Sequence, residues 1–362
     1  MPATLSVAMI VKNEDQVLGR ILGQVQSFCD ELIIVDTGST DNTVELAKSF
    51  GAKLYHFEWI DDFSAARNYA FAQCTSDWIM WLDADDIITE TQQQNILTLK
   101  AETLNDTLDA IICSYQIAFD GNGECLISMP RERLIRRDCG GSWQFPIHEA
   151  YVLNEPYTML ERLDIIIKHD KPSVYVERSV DRNLIMLTRL VEQGNESPRI
   201  WYYYAKELHH HGRLEEAVSA AARHVALNHN DTFSKYQAMH MAMDCLLQLE
   251  RYDETIEWGL RALRADGSRA EALVDLGVAY FRQGQYTQAI PMFRGATYCF
   301  KPNCGTILEE YYSWKPYHYL SLCYEGVGDF STAIEMGLKA YSTIPDKQVI
   351  RNNIQCFTQK LP

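Results

Sequence analysis

The sequence predicts an α/β domain with a parallel sheet, followed by an all-helical repeat domain. Three observations carry that prediction. Short apolar runs alternate with helix-spaced segments between residues 5 and 82. From about residue 179 onward only helical spacing occurs. Within that second half one five-residue pattern recurs four times. The 362 residues allow two or three domains, at about 100–200 residues each. Hydrophobic residues make up 47% and charged residues 23%, the composition of a chain that buries a core, so disorder throughout is excluded. The expected boundaries are 1–178 for the α/β domain, 179–197 for a helical linker, 198–346 for the repeats and 347–362 for a C-terminal tail or capping helix.

The elements follow in order. Leu5–Val11 is apolar without interruption, as a buried parallel strand requires. Val17, Ile21, Leu22, Val25 and Phe28 give residues 15–28 one apolar helical stripe. A second strand over 31–35 is broken by Asp36-Thr37-Gly38-Ser39. A helix over 41–50 follows, with Asp41 or Ser39 as its N-cap. Residues 53–57 read as a third strand, 64–73 as a helix and 78–82 as a fourth strand. This rhythm calls for helices on both faces of a parallel sheet. Such sheets bind ligands beyond the carboxyl ends of their strands, so the polar residues that end each strand are the first functional candidates.

In the second half, Arg213-Leu214-Glu215-Glu216-Ala217, Arg251-Tyr252-Asp253-Glu254-Thr255, Gln285-Tyr286-Thr287-Gln288-Ala289 and Asp329-Phe330-Ser331-Thr332-Ala333 share one pattern. Each runs polar, aromatic or Leu, two polar, small. The small residues at 217, 255, 289 and 333 are spaced by 38, 34 and 44. Gly212, Gly284 and Gly328 precede three of the four. The best unit, 272–302, carries Leu276-Gly277, Tyr280, Gly284, Tyr286, Ala289, Phe293, Ala296 and Pro302. These residues resemble the tetratricopeptide repeat, whose period is about 34 residues. The 44-residue step is made by an insertion around 303–313.

The formal charge is −16. A surface this acidic repels phosphate backbones, which counts against nucleic acid as a partner while leaving room for a local basic groove. No apolar run reaches the roughly 18 residues of a membrane span, and the N-terminus lacks the pattern of a secretory signal. The ten cysteines are scattered without a C-x-x-C pair. They read as reduced thiols of a cytoplasmic protein rather than a zinc site.

Four blocks carry chemistry. They are Ser6-Val7-Ala8-Met9-Ile10-Val11-Lys12-Asn13-Glu14, Ile33-Ile34-Val35-Asp36-Thr37-Gly38-Ser39-Thr40-Asp41-Asn42-Thr43, Phe63-Ser64-Ala65-Ala66-Arg67-Asn68-Tyr69-Ala70 and Trp78-Ile79-Met80-Trp81-Leu82-Asp83-Ala84-Asp85-Asp86. Asp83 and Asp85 place two hard oxygen donors at one strand end, which suits Mg²⁺ or Mn²⁺ bound with a diphosphate. In this order the blocks resemble an inverting family 2 glycosyltransferase of the GT-A fold. A lone D-x-D would be weak, whereas four ordered blocks at strand ends are specific. The fold class is therefore expected to be a GT-A, Rossmann-like nucleotide-sugar domain plus a tetratricopeptide-repeat solenoid.

The resemblance implies roles. Val11, Asn13 and Glu14 form the nucleotide-binding turn, although Glu14 could instead cap the next helix. Asp36 accepts a hydrogen bond from a uracil N–H; the plainer reading is a turn cap. Arg67 approaches the nucleotide or makes a surface ion pair. Asp83 and Ala84 contact the nucleotide sugar, Asp85 ligates the metal, and Asp86 faces donor sugar or acceptor. In Gly140-Gly141-Ser142-Trp143-Gln144-Phe145-Pro146-Ile147-His148-Glu149, Glu149 is the candidate general base, with His148 the runner-up or its orienting partner. Trp143, Arg131 and Arg133 are acceptor or donor-sugar candidates. Alternate positions put both arginines on one strand face, toward a diphosphate or an acidic acceptor, or on a solvated edge strand. His169, one residue beyond the apolar run Ile165-Ile166-Ile167 and following Lys168, is implied as a third metal ligand. Family members often follow this His with a small residue and Tyr, where this chain has Asp170-Lys171-Pro172.

The resulting expectation is a metal-dependent transferase using Mn²⁺ or Mg²⁺ and a UDP-sugar. Its acceptor would be a peptide or protein positioned by the repeats, which could also form a homodimer. The competing expectation is a repeat-based binding module whose N-terminal domain is a degenerate scaffold.

Overall fold

The computed structural model describes residues 3–105, 107–119, 123, 125–170, 173–301 and 308–361. The chain divides into two units, Met1–Met186 and Leu187–Pro362. Lys171, Pro172, Pro302, Cys304 and residues 303–307 of the expected insertion lie outside the described residues.

In the first unit the strands β1 (Leu5–Val11), β2 (Glu31–Asp36), β3 (Lys53–His56) and β4 (Trp78–Trp81) pair in parallel, in the order β3-β2-β1-β4. Helices α1 (Leu18–Val25), α2 (Thr43–Ser49) and α3 (Phe63–Ala72) connect them. The pleat of β1 sends Val7, Met9 and Val11 into one core with α1, while Ala8 and Ile10 join a second core with Ala70 and Phe71 of α3. Helices therefore cover both faces, as the sequence requires.

The sheet then departs from the parallel expectation. The strands β5 (Asp86–Ile87), β6 (Ala110–Phe119), β7 (Cys125–Arg136) and β10 (Met159–His169) extend it to the order β3-β2-β1-β4-β7-β6-β10-β5. β7 runs antiparallel to both β4 and β6, and β5 antiparallel to β10, so the sheet is mixed. The short connection between β6 and β7 forces an antiparallel pair, because a parallel partner needs a long crossover. A separate ribbon pairs β8 (Ser142–Gln144) with β9 (Ala150–Val152). Helix α4 (Glu90–Glu102) lies between β5 and β6 in the chain.

Helix α2 begins at Thr43 rather than residue 41. Asp41 still serves this start, accepting from the Thr43 N–H at 3.0 Å. Ser39 does not cap it, since its hydroxyl accepts from the Asn13 N–H at 2.9 Å.

Helix α5 (Ser173–Glu192) spans the division between the units and covers most of the expected linker. The second unit is helical in pairs: α6 (Pro198–His210) with α7 (Leu214–Ala226), α8 (Thr232–Gln248) with α9 (Tyr252–Ala265), α10 (Ala270–Arg282) with α11 (Tyr286–Ala296), and α12 (Trp314–Gly326) with α13 (Phe330–Thr343). Helix α14 (Gln348–Gln359) packs on α13. The repeated small residues Ala217, Thr255, Ala289 and Ala333 fall on α7, α9, α11 and α13 and are all buried. Close approach is steric necessity at Gly277, where an added Cβ would lie 2.7 Å from the Phe293 ring.

Gly212, Gly284 and Gly328 each follow the first helix of a pair with positive φ. The backbone of the next residue then donates to a carbonyl five positions back, as in Gln285 N–H to Tyr280 O at 2.9 Å. Where the second repeat lacks the glycine, Glu250 adopts the same backbone at φ 58°. Among the described residues no helix is long and apolar enough to cross a membrane, and the described cysteines are free thiols.

Candidate active site

The parallel register aligns Val11 with Asp36 and Ala8 with Trp81, so β1, β2 and β4 end at one edge of the sheet. A pocket opens there, and Val11, Glu14, Arg67, Asp83, Ala84, Asp85, His148, Glu149 and His169 line it. The antiparallel pairing of β10 with β5 sets His169 opposite Asp86. That register is why a strand distant in sequence delivers its terminal imidazole to the acidic turn after β4. The His169 Nδ1 lies 3.3 Å from an Asp85 oxygen and 3.3 Å from an Asp86 oxygen.

Arg67 is buried, with 6% of its surface exposed, so it is not the surface ion pair of the plainer reading. Its Nη2 donates to Asp83 Oδ1 at 2.8 Å and its Nε to Glu149 Oε1 at 2.6 Å. The guanidinium also lies 4.6 Å from the Trp81 ring and 5.1 Å from the Trp143 ring. Burial alone would lower the Arg67 pKa, but the two carboxylates hold it above its ordinary value. Burial would likewise raise the Asp83 carboxyl; the charges of Arg67 and Arg133 override that and keep it well below the usual range. For His169, burial opposes the charged form, and the hydrogen bond its ring donates to Asp86, with the charges of Asp85 and Asp83, more than offsets it, raising the pKa.

Helix α3 carries the segment that brings Glu149. The Phe63 N–H donates to Pro146 O at 2.8 Å. The Asn68 side chain grips the Trp143 backbone twice, accepting from its N–H and donating to its carbonyl, each at 2.8 Å. Gly141 must be glycine, because a Cβ there would lie 2.4 Å from the Tyr151 ring and 2.7 Å from the Val152 carbonyl. His148 sits in the left-handed region at φ 52°, as Phe145 does at φ 73°. Such backbone costs about 1–3 kcal/mol at a non-glycine residue and persists only where the surroundings impose it.

Several candidates lie elsewhere than expected. Asp86 is fully buried and does not line the pocket: its carboxylate accepts from the Asp83 N–H, Tyr115 Oη and Arg133 Nη1. Arg133 is also fully buried, sandwiched between the Trp81 and Tyr115 rings, and does not line the pocket. Arg131 shares its face, 5.3 Å from the Trp81 ring, but does not line the pocket. The strand carrying both is paired on either side, which removes the edge-strand reading. Trp143 is buried at the centre of Phe71, Trp81 and Tyr151, where it packs rather than presents a ring to a ligand. Asn13 ties two loops together, its Oδ1 accepting from the Thr40 N–H at 2.7 Å. Asp36 accepts from the Gly38 and Ser39 N–H groups, the turn-cap arrangement, and its neighbour Thr37 lines the pocket.

Sequence reasoning missed Tyr115, Arg20 and Trp59. Arg20 clamps the acidic turn from outside, donating to the Asp85 carbonyl at 3.2 Å and to Asp170 at 2.9 Å. Trp59 lines the pocket and meets Phe63 edge-on at 4.7 Å. The aromatic spacing Phe57, Trp59, Phe63 before Arg67 was the available signal for Trp59.

Asp83, Asp86 and His169 bring one possible ligand atom each within 4.8 Å of one another, a chemistry that suits a hard divalent cation. Asp83, Asp85 and His169 all present to the pocket, which offers two carboxylates and an imidazole. An oxygen of Asp86 also lies within reach of Asp83 and His169, but its carboxylate is already committed to Arg133 and Tyr115.

Residues 6–152 match the family model for glycosyl transferase family 2, and residues 260–302 match one for the tetratricopeptide repeat. A TPR repeat-containing protein of Synechococcus elongatus is 54% identical over 84 residues, which is 23% of this chain and 21% of that protein. The SPbeta prophage-derived glycosyltransferase SunS of Bacillus subtilis is 24% identical over 252 residues, 68% of this chain and 58% of that protein. The crystal structure of MamA aligns at 19% identity with a TM-score of 0.39, over 48% of this chain and 87% of that one. The chain thus spans less than two thirds of the length of either curated relative. It carries a glycosyl transferase family 2 domain at its N-terminus and a tetratricopeptide repeat at its C-terminus.

Proposed function

We propose that the protein is a metal-dependent inverting glycosyltransferase that moves a sugar from a UDP-linked donor to a nucleophile on a peptide or protein. The observation that carries this is the convergence of Asp83, Asp85, His169, Arg67 and Glu149 on one pocket at the strand ends of a family 2 domain. Asp83, Asp85 and His169 would hold Mn²⁺ or Mg²⁺, whose charge offsets that of the departing diphosphate. Glu149 removes the acceptor's proton as its oxygen, nitrogen or sulfur attacks the anomeric carbon. The new bond forms opposite the breaking bond to phosphate, so the configuration inverts and UDP leaves with the bonding pair. Arg67 orients Glu149 through Nε and Asp83 through Nη2, fixing the distance between the two halves of the site. Asp36 is assigned to the uracil N–H on the resemblance of its block, and Thr37 beside it faces the pocket. The acceptor class is supported by the tetratricopeptide match, since such solenoids bind extended chains.

The test is nucleoside-diphosphate release from UDP-, GDP- and dTDP-sugars with Mn²⁺, Mg²⁺ or EDTA, alongside Asp85→Ala. Slow release from a UDP-sugar, abolished by EDTA and by the substitution, supports the reading. Release from another donor would replace UDP. Release that survives EDTA would remove the metal.

A further inference from the structure

We infer that Arg133 and Tyr115 are positioning residues that set the metal-side turn from behind, acting through Asp86. The inference rests on the metal reading of Asp83, Asp85 and His169 given above.

Arg133 holds both ends of the turn that follows β4. Its Nη1 donates to the carbonyl of Trp81, the last residue of that strand, and to Asp86 Oδ2, the first residue of β5, at 3.2 Å each. The four residues between them include Asp83 and Asp85. The Asp86 carboxylate then divides its work. Oδ2 accepts the Asp83 N–H at 2.9 Å and so fixes the backbone that aims the Asp83 side chain. Oδ1 accepts from Tyr115 Oη at 3.1 Å and faces His169 Nδ1 at 3.3 Å, which fixes the imidazole. One carboxylate outside the pocket thus orients two residues that line it.

The arrangement is costly to build. Arg133 and Asp86 are both fully buried. Arg133 Nε and Nη2 have no hydrogen-bond acceptor among the described residues. The ring faces of Trp81 and Tyr115 lie 3.7 and 3.9 Å from its Cζ instead. An apolar side chain of similar volume would fill this space without taking two charges out of water. The placement of the turn is what the ion pair adds. Groups that orient metal ligands are commonly worth about 10–100-fold in metal affinity.

The experiment is calorimetric titration of Mn²⁺ into the full chain in the presence of UDP, with thermal unfolding in parallel. Tyr115→Phe deletes one hydroxyl and keeps the ring against Arg133. Arg133→Lys keeps the charge but loses the fork that reaches both Trp81 and Asp86. The expected result is Mn²⁺ binding weakened about 10–100-fold in both variants, with Tyr115→Phe still unfolding in one transition near the wild-type midpoint. Wild-type Mn²⁺ affinity in folded Tyr115→Phe overturns the inference and leaves the metal reading intact. If Arg133→Lys does not fold, Tyr115→Phe decides alone. Absence of Mn²⁺ binding in the wild-type protein overturns both.

Discussion

Arg67 and Glu149 are joined by a hydrogen bond of 2.6 Å across 82 residues of sequence. The same guanidinium reaches Asp83 at 2.8 Å, so a single cation couples the acidic turn to the segment carrying the candidate base. The site is therefore one electrostatic unit rather than two loops that happen to meet.

Removing that cation should be expensive. Arg67→Met leaves Asp83 and Glu149, both partly buried, as neighbouring carboxylates without the cation that joins them. The expected loss is about 3–5 kcal/mol of stability, the cost of breaking a buried pair from one side. Urea denaturation of the two proteins at pH 7 measures it. A loss within experimental error would mean that solvent, not Arg67, satisfies these carboxylates.

How much of this was legible beforehand differs from element to element. The strands 5–11, 31–35 and 78–82 announced themselves because strands buried on both faces read as unbroken apolar runs. The polar residues that end them were legible for the same reason. Asp86 and Arg133 were misplaced because the sequence reports a charge but not its burial. In an acidic turn any carboxylate looks like a ligand, and only the register of β10 against β5 shows which one turns inward. Asn68 lies in the third of the four motif blocks, where nothing local marks a role for it. Its two bonds to Trp143 depend on a ribbon 75 residues away, which no local pattern encodes. The mixed sheet escaped notice because β6 and β7 lack the helical spacers that made the first four strands readable.

A second prediction concerns pH. Glu31 accepts from Lys53 Nζ at 2.6 Å, from the Thr75 N–H at 2.7 Å, and from the Ser6 hydroxyl. It thereby ties β1, β2, β3 and the turn before β4. Burial would raise its pKa, but these hydrogen bonds, led by Lys53, lower it from 4.5 to about 2. A depressed carboxylate stabilises the fold above its unfolded value and loses that contribution as pH falls through the folded one. The full effect, about 3 kcal/mol at 1.36 kcal/mol per unit, should be present at pH 7. Comparing Glu31→Gln with wild type by denaturation, the gap should be constant above about pH 5.5 and narrow steadily below about 4.5. A gap independent of pH down to the acid limit of the fold would contradict the assignment.

A third prediction is a gain of stability. Glu250 holds the left-handed backbone that Gly212, Gly284 and Gly328 supply in the other repeats. A side chain pays about 1–2 kcal/mol for that conformation, and glycine gives some of this back through its freer unfolded state. Glu250→Gly should therefore stabilise the chain by about 0.5–1 kcal/mol. Glu250→Ala, which keeps a Cβ, should not. Denaturant midpoints of the two variants decide it, and equal midpoints would mean that the Glu250 side chain offsets the strain through contacts of its own.

The central claim is that Asp83, Asp85 and His169 form the donor side of one transfer site and Glu149 the acceptor side. The most direct measurement is calorimetric binding of UDP to wild type, Asp85→Ala and Glu149→Gln, with Mn²⁺ and with EDTA. The account predicts that wild type binds UDP with Mn²⁺ and markedly more weakly in EDTA, because the cation that offsets the diphosphate charge is then gone. Asp85→Ala should resemble the EDTA condition even when Mn²⁺ is present. Glu149→Gln, which keeps an oxygen for Arg67, should bind as wild type does. UDP binding that ignores both Mn²⁺ and Asp85, or no UDP binding at all, would contradict the account.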